Sequence, residues 1–183
     1  MFQTSANTLL DIDLVLKKLN IKESMRVADL GCGSSGHFIF GIAKLIGARG
    51  RIYAIDILKT VLETLDQRIR QENFENIETI WSDLEVFQAT KIETESLDIG
   101  LLINTLYQSK KRIQMLRESI RMIKKGGKLM IVEWKETSSP FGPLIEHRVK
   151  SEAIKSETQN LNLNLEDEFE AGQFHYGLLF TKI

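Results

Sequence analysis

A cluster of glycines follows an apolar segment near residue 30. Residues 27–36 read VADLGCGSSG, in which Gly31, Gly33 and Gly36 have the spacing GxGxxG. Glycine lets a backbone pass close to a ligand, and the first turn of a helix offers free N–H groups. Because a strand-like run precedes the cluster and a helical pattern follows it, the segment indicates a site for a nucleotide-like cofactor.

Acidic residues accompany this cluster. Asp56 ends the apolar segment RIYAID, and Asp83 follows the segment that ends at Trp81. A carboxylate can accept hydrogen bonds from two hydroxyl groups, which suits a ribose, although an acid at such a position can also cap the next helix. Asp56 lies about where a dinucleotide-binding fold places its ribose acid. Asp29, two residues before Gly31, would set negative charge against a pyrophosphate, which disfavours a nicotinamide dinucleotide.

Few other side chains in the sequence are typical of a reactive site. Cys32 is the only cysteine and the chain has three histidines, so we expect neither a disulfide nor a metal site. His147, His175 and Tyr107 are the candidates for a general base or an acceptor contact. We expect Cys32 to fill space in the glycine turn.

Strand-like and helical segments alternate through most of the chain. This pattern predicts an α/β fold, a doubly wound and mainly parallel sheet. Two strands close together at the end predict an antiparallel hairpin, and an irregular loop at 136–150 precedes it. The predicted strands are 26–30, 51–56, 77–81, 97–103 and 128–134, and the predicted helices are 9–19, 38–46, 58–72 and 111–123.

Size and charge narrow the classes of function. A chain of 183 residues fits one domain. With 24 basic and 25 acidic residues the net charge is −1, so we expect no nucleic-acid partner. We find no apolar run long enough to span a membrane and no signal-peptide pattern, and we therefore expect a cytoplasmic protein. The oligomeric state stays open.

Taken together, these segments resemble the class I S-adenosylmethionine-dependent methyltransferases. The likeness rests on VADLGCGSSG, YAID, WSDLE, LDIGLLINTLYQ and LRESIRMIKKGGKLMIVEW, and on the closing GQFHYGLLFTK. Within that class the chain looks most similar to small-molecule methylases of the ubiquinone and menaquinone type. The resemblance implies a Rossmann-like sheet of seven strands with a C-terminal antiparallel hairpin. It also implies one methyltransferase domain over 1–183, with an N-terminal helical segment 1–24 covering a cofactor-binding core 25–183.

The resemblance also implies roles for individual residues in holding S-adenosylmethionine. The turn would wrap the methionyl part, the strand-end acids would bind ribose and adenine, and an amide after the fourth strand would lie near the reacting sulfonium. The residues implied are Asp29, Gly31, Cys32 and Gly33 for the turn, Asp56 and Ile57 for the ribose and adenine, Asp83 and Leu84 for the adenine, and Asn104 for the sulfonium end.

The implied reaction is methyl transfer to a small-molecule acceptor by in-line displacement. Two alternatives stay open at this point. One is a binding protein without catalysis on the same fold, and the other is an NAD(P)-dependent oxidoreductase.

Overall fold

A single seven-stranded sheet forms the centre of the computed structural model, which describes residues 9–183. The strand order is β3-β2-β1-β4-β5-β7-β6, with β1 to β5 mutually parallel and β7 antiparallel to both of its neighbours. This arrangement confirms the predicted fold class. The strands are β1 Arg26–Leu30, β2 Arg51–Asp56, β3 Ile77–Trp81, β4 Leu97–Ile103, β5 Ile123–Trp134, β6 Leu163–Glu170 and β7 His175–Lys182.

Helices pack against the sheet and bury most of its central strands. They are α1 Ile12–Leu19, α2 Ile39–Ile46, α3 Lys59–Gln71, α4 Arg112–Met122 and α5 Ser151–Thr158. Strands covered on both faces have continuous apolar sequences, as β1 and β4 do. The buried side chains fall into two clusters, one centred on residues such as Leu30, Leu102 and Ile131, the other on residues such as Val27, Ile99 and Met130.

The N-terminal helix α1 is anchored to the turn between β6 and β7. Asp11 caps the helix by accepting from the Leu14 N–H at 2.9 Å, and its own N–H donates to the Ala171 carbonyl in the β6–β7 turn at 2.8 Å. Val15 and Leu19 are buried in the second apolar cluster. The helix starts three residues later than predicted, and residues 1–8 of the predicted N-terminal segment lie outside the described residues.

One further predicted boundary was wrong, and one helix was not predicted. The segment Lys124–Gly127, predicted to end a helix, belongs to β5, whose register against β4 shifts there. Helix α5 was not predicted, because Ile154 is its only buried apolar side chain and no side chain caps its start. Within residues 9–183, no helix is both long and apolar enough to cross a bilayer.

Candidate functional site

The carboxyl ends of β1, β2, β3 and β4 meet at one edge of the sheet, where ligands of open α/β sheets bind. The glycine turn leaves β1 at this edge. The N–H groups of Gly31 and Cys32 both donate to the Ile55 carbonyl, at 2.8 and 3.0 Å, and so fix the turn against β2. Gly31 and Gly33 have φ of +84° and +61°, which glycine adopts without strain.

Thr105 supports the same turn from the end of β4. Its hydroxyl lies 3.1 Å from the Leu30 carbonyl, to which it can donate. A Cβ on Gly31 would lie 2.6 Å from Cγ2 of Thr105, whereas nothing lies within 4 Å of the Cβ position at Gly33. The turn is therefore packed against Thr105 at Gly31 and open at Gly33, so a ligand can approach the backbone at Gly33.

Asp56 links the glycine turn to the start of α3. One carboxylate oxygen accepts from the Gly33 N–H at 3.1 Å, and the other accepts from the Leu58 N–H at 2.9 Å. Each oxygen keeps a free lone-pair direction, because a carboxylate has about four acceptor sites. The capping role considered for this acid thus coexists with room for two hydroxyl donors.

Asp29 is buried at the end of β1 and is 3% exposed. Burial, and then the charge of Asp56, raises the pKa of Asp29 to about 7. The same environment raises the pKa of the Cys32 thiol, so that side chain stays a thiol and packs as the sequence predicted. The base of the turn therefore carries carboxyl groups that lack a cationic partner among the described residues.

A cleft of about 480 Å³ lies between the glycine turn and the tips of β2, β3 and β4, within the usual size of ligand pockets. Among the residues implied by the resemblance, Gly31, Gly33, Asp56, Ile57, Asp83 and Leu84 line it. Further lining residues were not predicted, namely Leu58, Val61, Ser82, Glu85, Thr105, Gln108, Ser109, Lys110 and Met115.

One rim of this cleft is closed by a contact between two loops. A carboxylate oxygen of Glu85 accepts from the Ser109 hydroxyl at 2.8 Å and from the Lys110 N–H at 3.0 Å. The bond from Ser109 is the main reason why the pKa of Glu85 lies below its usual value. Asp83 accepts from the Glu85 N–H at 2.9 Å, which turns its loop across the cleft. The motif WSDLE includes Asp83 and Glu85, but the contact of Glu85 with Ser109 was not predicted, because these two residues come together only when β3 and β4 are placed.

Asn104, directly after β4, and His175, at the start of β7, lie together, and neither lines the cleft. Asn104 follows β4 with φ of +53°, and its amide nitrogen lies 3.1 Å from Nε2 of His175. His175 is 1% exposed, and its Nδ1 lies 2.6 Å from the Leu9 carbonyl oxygen. Both ring nitrogens are thus engaged, so His175 cannot take a proton from an acceptor without breaking one of these contacts.

The other two candidate bases are placed differently. Tyr107 is partly buried, and burial together with the nearby Glu133 raises the pKa of its phenol. His147 is exposed, at the end of a short 3₁₀ turn within the loop after β5. The structure therefore does not bring His147, His175 and Tyr107 into one cluster of hydrogen-bonded side chains.

A guanidinium organises the loop after β5. Arg148 is buried, and its nitrogens donate to the carbonyl groups of Lys135, Thr137, Phe141 and Pro143 at 2.7–3.2 Å. Because these bonds occupy the guanidinium, an acidic acceptor would have to displace backbone carbonyls to reach it. Apolar side chains of this loop lie at the surface instead: Phe141 is 55% exposed and Leu144 is 63% exposed.

A family model described as a methyltransferase domain matches residues 21–177. The chain belongs to this methyltransferase family. A demethylmenaquinone methyltransferase of Lactobacillus johnsonii is 29% identical over 131 residues, which cover 71% of this chain and 51% of that protein. A second enzyme with that name, from Lactococcus lactis, is 25% identical over 70% of this chain and 48% of its own length. The chain thus spans about half the length of the curated relatives it matches.

Solved structures agree with the fold of this methyltransferase domain. A SAM-dependent methyltransferase from Aquifex aeolicus superposes with a TM-score of 0.86 at 22% identity, covering 96% of this chain and 91% of that one. The [4+2]-cyclase SpnF superposes with a TM-score of 0.79 at 13% identity, covering 93% and 80%. The predicted family, fold and S-adenosylmethionine cofactor are confirmed, and the fold alone does not select the reaction.

Proposed function

We propose that this methyltransferase domain transfers a methyl group from S-adenosylmethionine to a small-molecule acceptor. The observation that carries the proposal is the pair Asp29 and Asp56 beneath the open glycine turn. A pyrophosphate would meet these carboxyl groups unfavourably, whereas a ligand with a cationic sulfonium and a ribose would meet them favourably. The chemistry of the site therefore fits S-adenosylmethionine better than a nicotinamide dinucleotide.

Each part of the cofactor has a matching group in the cleft. Asp56 would accept from the ribose hydroxyls through charge-assisted hydrogen bonds. Ile57, which is 53% exposed, would pack against the adenine, and Asp83 beside the buried Leu84 would accept from its amino group. The backbone at Gly33 would approach the methionyl part, because nothing lies near its Cβ position.

When bound, S-adenosylmethionine supplies a methyl group already activated by its sulfonium, so the protein has mainly to align the acceptor and exclude water. A base is needed only for an acceptor that starts protonated. His147, which is exposed, and Tyr107, which is partly buried, are the candidate bases whose side chains are not held as the His175 ring is. His175 is treated separately below because both of its ring nitrogens are engaged.

The acceptor side of the domain favours an apolar molecule over an acidic one. Arg148 is occupied by carbonyl groups, while Phe141, Leu144 and Ile145 lie at the surface of the same loop. Since relatives are named as quinone methyltransferases, quinols are the first acceptors to test.

Three other properties stay predictions: a single domain over residues 1–183, a cytoplasmic location and the lack of a nucleic-acid partner. The net charge of −1 supports the last of these.

Calorimetry tests the cofactor assignment directly. The wild-type chain is titrated with S-adenosylmethionine and with S-adenosylhomocysteine, alongside Asp56→Asn. Losing charge-assisted hydrogen bonds of about 1.5–3 kcal/mol should weaken binding by about tenfold to a hundredfold. Asp66→Asn is a matched control, because Asp66 lies on α3 outside the cleft, where its carboxylate accepts from the Thr79 hydroxyl of β3. Wild-type protein that binds neither ligand would refute the proposal.

The alternatives have their own outcomes. Binding of S-adenosylmethionine without S-adenosylhomocysteine release, across a library of quinols and other small acceptors, would favour a binding protein. The cyclase with this fold gives that outcome a structural precedent for chemistry other than methyl transfer. Enhanced fluorescence of bound reduced nicotinamide would instead favour the oxidoreductase.

A further inference from the structure

The ring of His175 is held in one tautomer by its two neighbours. Nδ1 lies 2.6 Å from the Leu9 carbonyl oxygen, which can only accept, so Nδ1 carries the hydrogen. In the neutral ring Nε2 is then an acceptor. Its neighbour at 3.1 Å is the amide nitrogen of Asn104, which donates to it. The ring also packs against Trp134, with centroids 4.1 Å apart and the two ring planes inclined at 45°.

This arrangement determines how the amide of Asn104 is turned. Rotating the amide by 180° would set its oxygen against the lone pair of Nε2, so the observed orientation is the stable one. The backbone of Asn104 is fixed as well, because its N–H donates to the Val132 carbonyl at 2.8 Å and its carbonyl accepts from the Gln108 amide at 2.9 Å.

The other end of that amide is left without a partner. Oδ1 of Asn104 is buried from solvent and accepts no hydrogen bond from the described residues. Such a group costs free energy unless something bound pairs with it. Asn104 directly precedes Thr105, which lines the cleft and lies next to Gly31 of the glycine turn. Asn104 itself does not line the cleft, and its place near the sulfonium end of the cofactor is what the family resemblance implies.

We propose that His175 is a positioning residue, which turns the Asn104 amide so that Oδ1 is reserved for a hydrogen donor of bound S-adenosylmethionine. The inference rests on the proposed function. The donor is either the ammonium group or the polarised C–H of the sulfonium methyl, and both are positively charged groups suited to an oxygen acceptor. S-adenosylhomocysteine retains the ammonium but lacks the methyl, so comparing the two ligands distinguishes these sources.

Protonation of His175 would reverse the arrangement. With both ring nitrogens donating, the Asn104 amide would have to turn its oxygen towards Nε2 and present its N–H groups to the cofactor. Burial lowers the pKa of His175, and the positive charges of Lys135 and Arg148 lower it further. Lys135 is itself paired with Glu170. The ring therefore stays neutral near pH 7, and cofactor binding should weaken only on acidification below its ordinary range.

Two substitutions separate positioning from simple packing. In His175→Gln the terminal amide falls near the place of Nε2, and its oxygen can accept from Asn104. In His175→Asn the shorter side chain can keep the donor to Leu9 but does not reach Asn104. Calorimetry with S-adenosylmethionine and S-adenosylhomocysteine, with thermal melting of each variant, gives a readout independent of turnover.

The expected result is at least tenfold weaker binding of S-adenosylmethionine by His175→Asn, with binding by His175→Gln within about threefold of wild type. Equal weakening of both variants, or no weakening of either, would overturn the positioning role. Nitrogen chemical shifts of the His175 ring in the wild-type chain need no variant, and a hydrogen found on Nε2 would also overturn it. Wild-type protein that binds neither ligand would refute the proposed function instead, and this inference with it.

Discussion

Cofactor binding should be linked to the titration of Asp29. This carboxyl is buried beneath the glycine turn, and burial together with Asp56 raises its pKa to about 7. In the free protein at pH 6 it is therefore mostly protonated. S-adenosylmethionine has one more positive charge than S-adenosylhomocysteine, and a cation placed near a carboxyl favours its ionised form. We predict that S-adenosylmethionine binding releases a proton from Asp29.

The size of the effect follows from the shift that the bound charge imposes. If the cofactor lowers the pKa of Asp29 by about two units, binding at pH 6 releases about 0.8 proton. Affinity then weakens about fiftyfold between pH 8 and pH 5, which corresponds to about 2.3 kcal/mol. S-adenosylhomocysteine, without the sulfonium charge, should show a smaller release.

Calorimetry in two buffers with different ionisation enthalpies counts the released protons. Asp29→Asn removes the titrating group and should abolish most of the release; any remainder at acidic pH would come from His175. Glu133→Gln is a matched control, because burial also raises the pKa of Glu133 to about 7, but its carboxylate accepts from the Leu106 N–H after β4 and does not belong to the glycine turn. Equal proton release by wild type and Asp29→Asn would refute the reasoning.

The same shift predicts a change in stability without ligand. The folded-state pKa of Asp29 lies above its unfolded value, so the folded chain binds the extra proton and loses stability as the pH rises from about 4 to 7. Asp29→Asn should therefore gain stability relative to wild type with rising pH, by up to about 4 kcal/mol at pH 8. Urea denaturation at pH 5 and pH 8 measures this difference, and a difference that stays constant with pH would contradict it.

Two further predictions concern packing. Gly31→Ala should destabilise the chain by more than about 2 kcal/mol and weaken cofactor binding, because the strain of a positive φ adds to a steric contact with Thr105. Gly126→Ala is the control: Gly126 has a positive φ but nothing near its Cβ position, so thermal melting of this variant should show the backbone strain alone. Arg121→Met should cost about 3–5 kcal/mol in urea denaturation because it leaves buried Glu118 without its ion pair, and a loss under about 1 kcal/mol would show that the pair matters little.

The central strands could be predicted closely from sequence because they are buried on both faces. Arg26–Leu30, Arg51–Asp56 and Leu97–Ile103 have the predicted bounds, since their mostly apolar runs are buried on both faces. The edge strand Ile77–Trp81 also has the predicted bounds, although only Ile77 and Ile80 in it are buried. Elements at the periphery lack that signal. Helix α5 buries only Ile154 among its apolar side chains, so its sequence lacks the repeated apolar positions that predict a helix.

The cleft was predictable only where chemistry is concentrated in a short motif. The glycine turn and Asp56 are close in sequence and are joined by a hydrogen bond from the Gly33 N–H, so their types and spacing carry the signal. Thr105 and Glu85 make contacts with residues that are far away in the sequence. Thr105 packs against Gly31, and Glu85 joins two loops that follow different strands. The burial of His175 has the same origin, because the Leu9 carbonyl that fixes its tautomer is 166 residues away in the chain.

A strand, a glycine turn and a helix can hold cofactors of opposite charge, so the backbone alone does not choose between them. The choice lies in the side chains beneath the turn. Here burial, and then repulsion from the charge of Asp56, raises the pKa of Asp29 to about 7, so this carboxyl keeps its proton near neutral pH. An anionic pyrophosphate would strengthen that repulsion, whereas a sulfonium relieves it. Proton release on binding therefore reports on the sign of the ligand charge, and with it on the class of cofactor that this turn accepts.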